Sequence, residues 1–419
     1  MQRIATEKSP DAARRPRGEM IAAIDPGSAW VRAAICEVTP DGLVMVGAGT
    51  VRSEGISRGH VGSIPAVAAT VAHAVREAEH SAGRDAHSLS VLLGGETVRG
   101  LNTTGSAKIE SETGRVAARD LDRAMRRAGS IGLPKNRAIV HLLPQRYLID
   151  SVCYTDEPVG LAGSRLEAET HVISSWQPGV ENLRRAIRMA GYHVAHVVAA
   201  PLASYLAVVN EYSDGTRVLI DIGGETTKLI GWDDGRITFT KVIPVGGKDL
   251  SRAVALKLGI DPGSAERIKC AWGAATPRAL EEAERTEGVS SPAVDGRRVV
   301  EITAQRLAEL LEPSVKKLLV EVRAVLESEG DVKRFTGGAL LTGGGARLRG
   351  IEQVASEMLW IPARRAEALS GDLAGPEFAA LAGLVRYAAE RPRRRPVVAR
   401  PRGLAGVLAG GWNWLLASF

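Results

Sequence analysis

The sequence predicts an α/β fold of two duplicated halves, each with a smaller subdomain added to it. The first observation is a repeat, in which IAAIDPGSAWVRAAI at residues 21–35 matches VLIDIGGETTKLIGW at 218–232, with Asp25 aligned to Asp221. The second is a further glycine turn, GALLTGGGARLRGI at 338–351, which also follows an apolar strand and opens a helix. The offset of 196 residues between the copies is too long for a solenoid and suits two halves that face each other.

Composition and charge narrow the class of protein. The 419 residues are 45% apolar and 24% charged, as in an ordinary folded protein with room for several domains. The formal net charge of +6 lies at one end, because residues 391–419 hold six arginines and no lysine or acid, whereas the rest carries 48 basic and 48 acidic groups. A nucleic-acid binder more often carries its basic residues on a folded face beside aromatic side chains. We therefore expect no nucleic-acid partner.

Three widely spaced cysteines form no CxxC motif, so neither a disulfide framework nor a zinc site is predicted. No apolar run reaches the roughly 20 residues that cross a bilayer. The N-terminal stretch 1–19 lacks the apolar segment of a signal peptide and is predicted to be a disordered tail. These features favour a cytoplasmic protein.

The first half, domain I, is predicted at 20–99 and 176–212. It opens with three strands, MIAAID, VRAAICEV and LVMVGAGTV, and a turn at Asp41-Gly42 separates the last two. The helical stretch IPAVAATVAHAVREAEHSAG and the strand SLSVLLGG follow. Between 100 and 175 the pattern becomes polar and mixed, which indicates an inserted subdomain.

The second half, domain II, is predicted at 213–240 and 336–389. Residues 241–335, which include the helical run ITAQRLAELLEPSVKKLLVEVRAVLES, are predicted to form its own subdomain.

The glycine turns have the chemistry of a phosphate site. Glycine lets backbone N–H groups approach an anion closely, and an aspartate at a strand end can hold Mg²⁺ through water. Two facing Asp-x-Gly turns could clamp a nucleotide's phosphates from both sides. One such turn alone is more often an ordinary hairpin in which the aspartate caps the turn, and this alternative stays open for Asp25 and Asp221.

The order of phosphate turn, insert, phosphate turn and adenosine turn resembles that of the actin and Hsp70 ATPase superfamily. Several segments are similar to the FtsA family of bacterial cell division proteins, over about residues 20–387 and the tail. The stretch from QRYLID to PVGLAG is specific to that family. The similar segments are HLLPQRYLID (141–150), PVGLAGSRLEAETHVI (158–173), PLASYL (201–206), KVIPVGGKDLSRAVALKLG (241–259), AERIKCAWGAA (265–275) and LLTGGGARLRGI (340–351).

The resemblance implies an actin-like ATPase fold in which residues 100–175 form an SHS2-like subdomain. It also implies ATP and Mg²⁺ as ligands, with Asp25 and Asp221 positioning the metal and its water. The residues implied to bind the cofactor are Asp25, Gly27 and Ser28 in the first turn, Asp221, Gly223, Gly224, Glu225 and Thr226 in the second, Glu266 and Lys269 toward ribose and adenine, and Gly343, Gly344 and Gly345 under the adenosine.

Two residues of the second turn depart from the family pattern Asp-x-Gly-Gly-Gly-Thr-x-Asp. Glu225 replaces the third glycine, which would cost about 1 kcal/mol if the backbone there had a positive φ. Lys228 replaces the final aspartate and could pair with Glu225 or with phosphate. We expect weakened ATP binding and at most weak ATPase activity, so the protein is not expected to be a turnover enzyme.

The C-terminal tail has the pattern of a membrane anchor. Residues 390–402 are a Pro/Arg linker, and 403–419 predict an amphipathic helix too short and glycine-rich to span a bilayer. Tryptophans and upstream arginines suit an anionic membrane surface. The family also ends in such a helix; the alternative is a helix docked on the protein's own core. The predicted membrane-contacting residues are Leu404, Val407, Leu408, Trp412, Trp414, Leu415 and Phe419.

The resemblance implies an adaptor that self-associates as an actin-like filament at the division septum, on the cytoplasmic side of the inner membrane. Its partners would be the C-terminal peptide of the tubulin-like division protein FtsZ and later division proteins. Arg306, Lys316 and Lys317 match a segment near the peptide site, although each also suits a solvated helix face. A small-molecule kinase or a pilus-assembly ATPase of the same fold remains the alternative.

Overall fold

The fold is described by a computed structural model over residues 19–40, 42–209, 214–294, 297–366 and 373–390. Domain I has a five-stranded sheet in the order β11-β6-β1-β2-β3, with β1, β6 and β11 parallel and β2 and β3 antiparallel. Its strands before the insert are β1 (Met20–Pro26), β2 (Trp30–Thr39), β3 (Gly42–Arg52), the short β4 (Ile56–Ser57) and β5 (His60–Val61), and β6 (Ser88–Leu93).

Helix α1 (Ile64–Ala82) packs on this sheet. It begins where the Ser63 hydroxyl accepts the Ala66 N–H, and it ends at Gly83 in a left-handed conformation, φ 59°. Valines and alanines at helical spacing form its buried face: Val67, Val71, Ala74, Val75 and Ala78.

The inserted subdomain follows β6. Its elements are β7 (Arg99–Lys108), α2 (Ala118–Gly129), β8 (Arg137–Ile149), β9 (Cys153–Thr155) and β10 (Arg165–Trp176). It has a small core of its own, to which Ala107, Tyr147 and Leu166 belong. The chain then returns to domain I through α3 (Gln177–Met189), β11 (His193–Ala199) and α4 (Ala200–Val208).

Domain II repeats the strand order of domain I, as β14-β13-β12-β17-β18. Its elements are β12 (Thr216–Ile222), β13 (Thr227–Asp233), β14 (Arg236–Ile243), α5 (Gly247–Leu258), α6 (Pro262–Trp272), α7 (Glu282–Arg285), β15 (Gly288–Pro292), β16 (Val299–Thr303), α8 (Ala304–Ser328), β17 (Ala339–Thr342), α9 (Ile351–Leu359), β18 (Ala363–Arg365) and α10 (Ala379–Glu390). The repeated order confirms the predicted duplication. Helices α5, α6 and α8 share one apolar core with strands β12 and β17, and a separate subdomain at 241–335 stays a prediction.

The insert is joined to both halves. The sheet of domain II continues into it through the bridge between Thr240 of β14 and Gly100 of β7, which makes nine strands in all. Beside this bridge the buried His171 ring lies between Asn102 (2.6 Å) and Thr240 (2.9 Å). On the other side, His141 of β8 accepts the backbone N–H of Ala199 in domain I at 3.0 Å.

Helices α4 and α10 pack against each other in the layer between the two sheets. Tyr205 of α4 contacts Trp232 of domain II edge to face, whereas Leu381 and Leu384 of α10 lie in the core of domain I. The predicted domain II range, 336–389, was therefore wrong at its end. An apolar helical pattern shows that a face is buried but does not say which core buries it.

Candidate functional site

A cleft of about 340 Å³ lies between the two domains, where the three glycine turns meet. Each Asp-x-Gly turn follows the first strand of its domain, so the duplication itself brings the turns face to face. Of the predicted cofactor residues, those that line the cleft are Asp25, Gly27, Ser28, Asp221, Gly223, Gly224, Thr226, Glu266, Lys269, Gly343, Gly344 and Gly345. Glu225 is the one predicted cofactor residue that does not line the cleft. The assignment of these residues to a cofactor stays a prediction.

The first turn joins β1 to β2. The buried Ser28 accepts the Gly59 N–H on its hydroxyl at 3.2 Å, and its carbonyl accepts the Lys248 ammonium at 2.7 Å. Loss of hydration raises the pKa of Asp25, while the positive charges of Arg32 and Lys228 oppose the rise. The turn is thus fixed by domain II as well as by its own domain.

The second turn joins β12 to β13. Asp221 is buried, accepts the Ser204 hydroxyl on Oδ2 at 2.9 Å, and has the Lys228 ammonium 3.4 Å from the same oxygen. Asp221 and Lys228 are directly paired across the two strands. Asp25 and Arg32 occupy the same register in domain I. The predicted pairing of Lys228 with Glu225 was wrong, because Asp221 is the carboxylate that faces it.

Glu225 points away from the cleft and holds the two domains together. Its carboxylate accepts the backbone N–H of Arg58 at 2.6 Å, the Lys248 ammonium at 3.1 Å and the Arg252 guanidinium at 3.4 Å. Burial raises the pKa of Glu225, but the Arg58 N–H, Lys248 and the Ser57 hydroxyl outweigh it, so the pKa lies below the ordinary value. Glu225 is not among the described residues with positive φ. The expected backbone strain is therefore absent.

The third turn follows β17. Gly343 has φ 81°, and a Cβ there would collide with Asp221 Oδ1 and the Ile222 carbonyl. Gly345 lies equally close to the Ile222 side chain, whereas a Cβ on Gly344 would meet nothing within 4 Å. Glycine is thus required at two of the three positions. The turn therefore presents backbone without side chains to the cleft, and a flat ligand can lie against such a surface.

Glu266 and Lys269, on α6, line the cleft but are already paired. The Lys269 ammonium donates to Glu266 Oε2 at 2.7 Å and to the Gly247 carbonyl at 2.8 Å. Glu266 also accepts from the hydroxyl of Ser251 and from the thiol of Cys270. Burial raises the pKa of Glu266, but Lys269, the Ser251 hydroxyl and the Cys270 thiol together outweigh it, and the pKa falls below the ordinary value. The pair shapes the wall of the cleft more than it supplies free charges.

Three cationic residues important to this site were missed from the sequence. The repeat could have revealed Arg32, because the offset that aligns Asp25 with Asp221 also aligns Arg32 with Lys228. Lys248 and Arg252 belong to α5 and follow no phosphate motif, so only the folded chain places them beside Glu225.

The residues of the cleft fit a nucleotide. Backbone turns from both domains meet there, glycine is sterically required at the third turn, and the volume lies in the range of ligand pockets. They fit Mg²⁺ less well, because Asp221 already contacts an ammonium and a hydroxyl. Within the part of the chain that the structure describes, no group of three or more His, Cys, Asp or Glu side chains could hold a metal ion.

The candidate partner residues lie on α8, the long helix of the domain II subdomain. Arg306 is exposed and pairs with Glu309 at 2.8 Å, and Lys316 pairs with Glu312 at 2.8 Å. Lys317 is exposed. The predicted membrane residues, all within 403–419, lie outside the described residues. Among the described helices, none combines the length and apolar character needed to cross a membrane.

Comparison with known proteins agrees with this architecture. The model of the family "Cell division protein FtsA" matches residues 218–383, and that of the "SHS2 domain inserted in FTSA" matches 95–174. The FtsA of Pseudomonas aeruginosa is 32% identical over 381 residues, which is 89% of this chain and 90% of that protein.

Solved structures show the fold. A PilM–PilN type IV pilus biogenesis complex has a TM-score of 0.61 at 19% identity, covering 89% of this chain and 99% of that one. MreB5 of Spiroplasma citri, solved bound to ADP, has a TM-score of 0.55 at 14% identity, covering 91% and 100%. These neighbours confirm the actin-like ATPase fold and, at such identities, nothing beyond it. The sequence relative, together with the matched insert, shows that the chain belongs to the FtsA family of cell division proteins.

Proposed function

We propose that this cell division protein is an ATP-binding, actin-like adaptor that anchors the FtsZ ring to the cytoplasmic face of the inner membrane at the septum. The observation that carries the proposal is the cleft in which the duplicated Asp-x-Gly turns and the Gly343–Gly345 turn meet. Family membership supports the role in division. The ADP in the MreB5 structure supports nucleotide as the ligand class.

The nucleotide would act as a structural ligand. A ligand held by turns from both domains favours the closed arrangement, because it binds that arrangement better than an open one. The turns supply backbone donors, but Lys228 stands where a carboxylate could otherwise orient water. Asp25 and Asp221 lie opposite Arg32 and Lys228, cations of the protein itself. We therefore expect hydrolysis to be weak at most, and self-association into an actin-like filament to be the output of binding.

The exposed face of α8 is proposed to bind the C-terminal peptide of FtsZ. Arg306 and Lys317 are eleven residues apart, which places them about three turns apart on one side of a helix. In this proposal these two exposed cations contact acidic side chains of the peptide. The later division proteins are proposed to join the same assembly.

The tail is proposed to give the membrane attachment. A single short amphipathic helix binds weakly, but many copies on one filament bind together, and this avidity makes the attachment firm. The Pro/Arg linker that follows α10 would give each helix reach.

One bridging experiment tests the adaptor role. A fluorescent FtsZ C-terminal peptide is mixed with anionic liposomes and the full chain, with and without ATP, and the pelleted peptide is measured. We expect the chain to bring the peptide down, more strongly with ATP. Deletion of 403–419 should leave peptide and protein in the supernatant, and Arg306→Glu should release the peptide alone. Arg278→Glu, which removes another exposed arginine, paired with Glu357, is the matched control. Peptide pelleting that survives the deletion would contradict the proposal.

A further inference from the structure

The duplicated halves repeat a charge pair as well as a turn. In domain I, Asp25 is the last residue but one of β1, and Arg32 lies directly opposite it on β2. In domain II, Asp221 and Lys228 take the same two places, each 196 residues further along the chain. All four side chains line the cleft. Each carboxylate at the phosphate turns is therefore accompanied by a cation that belongs to the protein.

The position of Lys228 is well defined. Its side chain is only 15% exposed, and its Nζ lies 3.4 Å from Asp221 Oδ2. A Cβ on Gly223 would lie 2.9 Å from the same Nζ, so the ammonium stands over the backbone of the second phosphate turn.

Both oxygens of Asp221 have close neighbours. Oδ2 accepts the Ser204 hydroxyl as well as facing Lys228, and Oδ1 packs against Gly343 so closely that no Cβ fits there. A magnesium ion would have to displace the ammonium or stand beside it, and Mg²⁺ needs near-ideal octahedral geometry with oxygen ligands. Two cations side by side repel each other in a partly buried site.

The net charge of the residues that line the cleft also argues against a bound magnesium ion. The acidic residues that line it are matched in number by basic ones: Asp25, Asp221, Glu266 and Glu377 against Arg32, Lys228, Lys269 and Arg347. A site that recruits a divalent cation usually carries excess negative charge. The residues of this cleft are already balanced in charge, so they do not attract a divalent cation, and Arg32 and Lys228 are the cations at the phosphate turns that an anion's oxygens can contact.

We propose that the chain binds its nucleotide as the metal-free anion, with Lys228 and Arg32 supplying the positive charge that a divalent cation would otherwise bring to the phosphates. The proposal rests on the nucleotide site proposed above and specifies its ligand. It replaces the Mg²⁺ expected from the sequence by two side chains, one from each half of the duplication.

The test is a titration of the full-length chain with the fluorescent analogue mant-ATP, in excess Mg²⁺ and in excess EDTA. For the unmodified chain we expect the two dissociation constants to agree within about threefold. Lys228→Met should weaken binding about tenfold or more in EDTA, and Arg32→Met should act in the same direction. Lys228→Asp should bind only when Mg²⁺ is present. Lys241→Met is the control, because Lys241 pairs with Glu329 outside the cleft and its loss should leave both constants unchanged.

Circular dichroism melts establish that each variant is folded, and Lys228→Arg, which keeps the charge, should retain metal-free binding. If EDTA weakens binding to the unmodified chain about tenfold or more, the metal-free site is refuted while the nucleotide site stands. If mant-ATP fails to bind in either condition, the proposed function falls together with this inference.

Discussion

Replacing Glu225 by glutamine should weaken its contacts with α5 of domain II and lower the free energy of unfolding. The substitution keeps the shape of the side chain and an oxygen that can accept the Arg58 N–H. It removes the charge that faces Lys248 and Arg252, and it places an amide N–H₂ where those cations lie. The Glu225 side chain is 7% exposed, whereas Lys248 and Arg252 are 32% and 54% exposed, so water partly replaces the partner that these two cations lose.

The size of the effect follows from these contacts. A hydrogen bond to a charged group contributes about 1.5–3 kcal/mol, and removing one partner of a buried ion pair costs about 3–5 kcal/mol. Lys248 retains the Ser28 carbonyl at 2.7 Å, so it is not left without an acceptor, and the lower range applies. We expect the free energy of unfolding to fall by about 2 kcal/mol.

Urea unfolding of both proteins near neutral pH measures this loss, and repeating it in acid tests the cause. The pKa of Glu225 is lowered in the folded state, so its stabilisation is complete above the unfolded value of about 4.3 and is lost as the pH falls through the lower folded value. The two proteins should therefore converge in acid. Glu309→Gln, at an exposed pair on α8, should lose measurably less. A difference below about 0.5 kcal/mol near neutral pH, or one that persists unchanged in acid, would refute the reasoning.

Two further predictions concern the sheet and the third turn. Burial lowers the pKa of His171 from 6.5 to about 4, so the unfolded chain binds the proton better and acidification between these values should remove roughly 2–4 kcal/mol of stability. His171→Asn should show a shallower loss when urea midpoints are followed across this range, and identical profiles would count against the assignment. Gly343→Ala should lower the free energy of unfolding by about 1–2 kcal/mol because of its positive φ and should weaken mant-ATP binding. Gly344→Ala, whose Cβ meets open space, should unfold like the unmodified chain, and equal losses in the two variants would contradict the steric argument.

Local patterns predicted the turns of this site well. An apolar strand that ends in Asp-x-Gly can be identified from a few consecutive residues. The repeat between Asp25 and Asp221 predicted that the two turns face each other. The third turn was visible as a glycine run after an apolar strand, and the family resemblance supplied its role beside the adenosine. Distant contacts were beyond such patterns, because Glu225 meets the Arg58 N–H from 167 residues away. The sequence identified Glu225 as unusual but assigned it to the wrong partner.

The sequence also did not predict which domain's core buries helix α10. Helix α10 is apolar on one face, and its sequence neighbours belong to domain II, yet it packs in domain I beside α4. The pairing of Lys269 with Glu266 follows from their spacing on α6, but its consequence, that neither charge is free, required the folded cleft.

The insert touches both halves of the molecule, through the Thr240–Gly100 bridge on one side and the His141–Ala199 bond on the other. A hinge motion that opened the cleft would move these two attachments apart. The position of the insert would therefore depend on how far the cleft is open. The outer surface of the insert, far from the nucleotide turns, would shift whenever the angle between domain I and domain II changes. A neighbouring subunit that binds this surface would therefore respond to the opening or closing of the cleft without contacting the nucleotide turns.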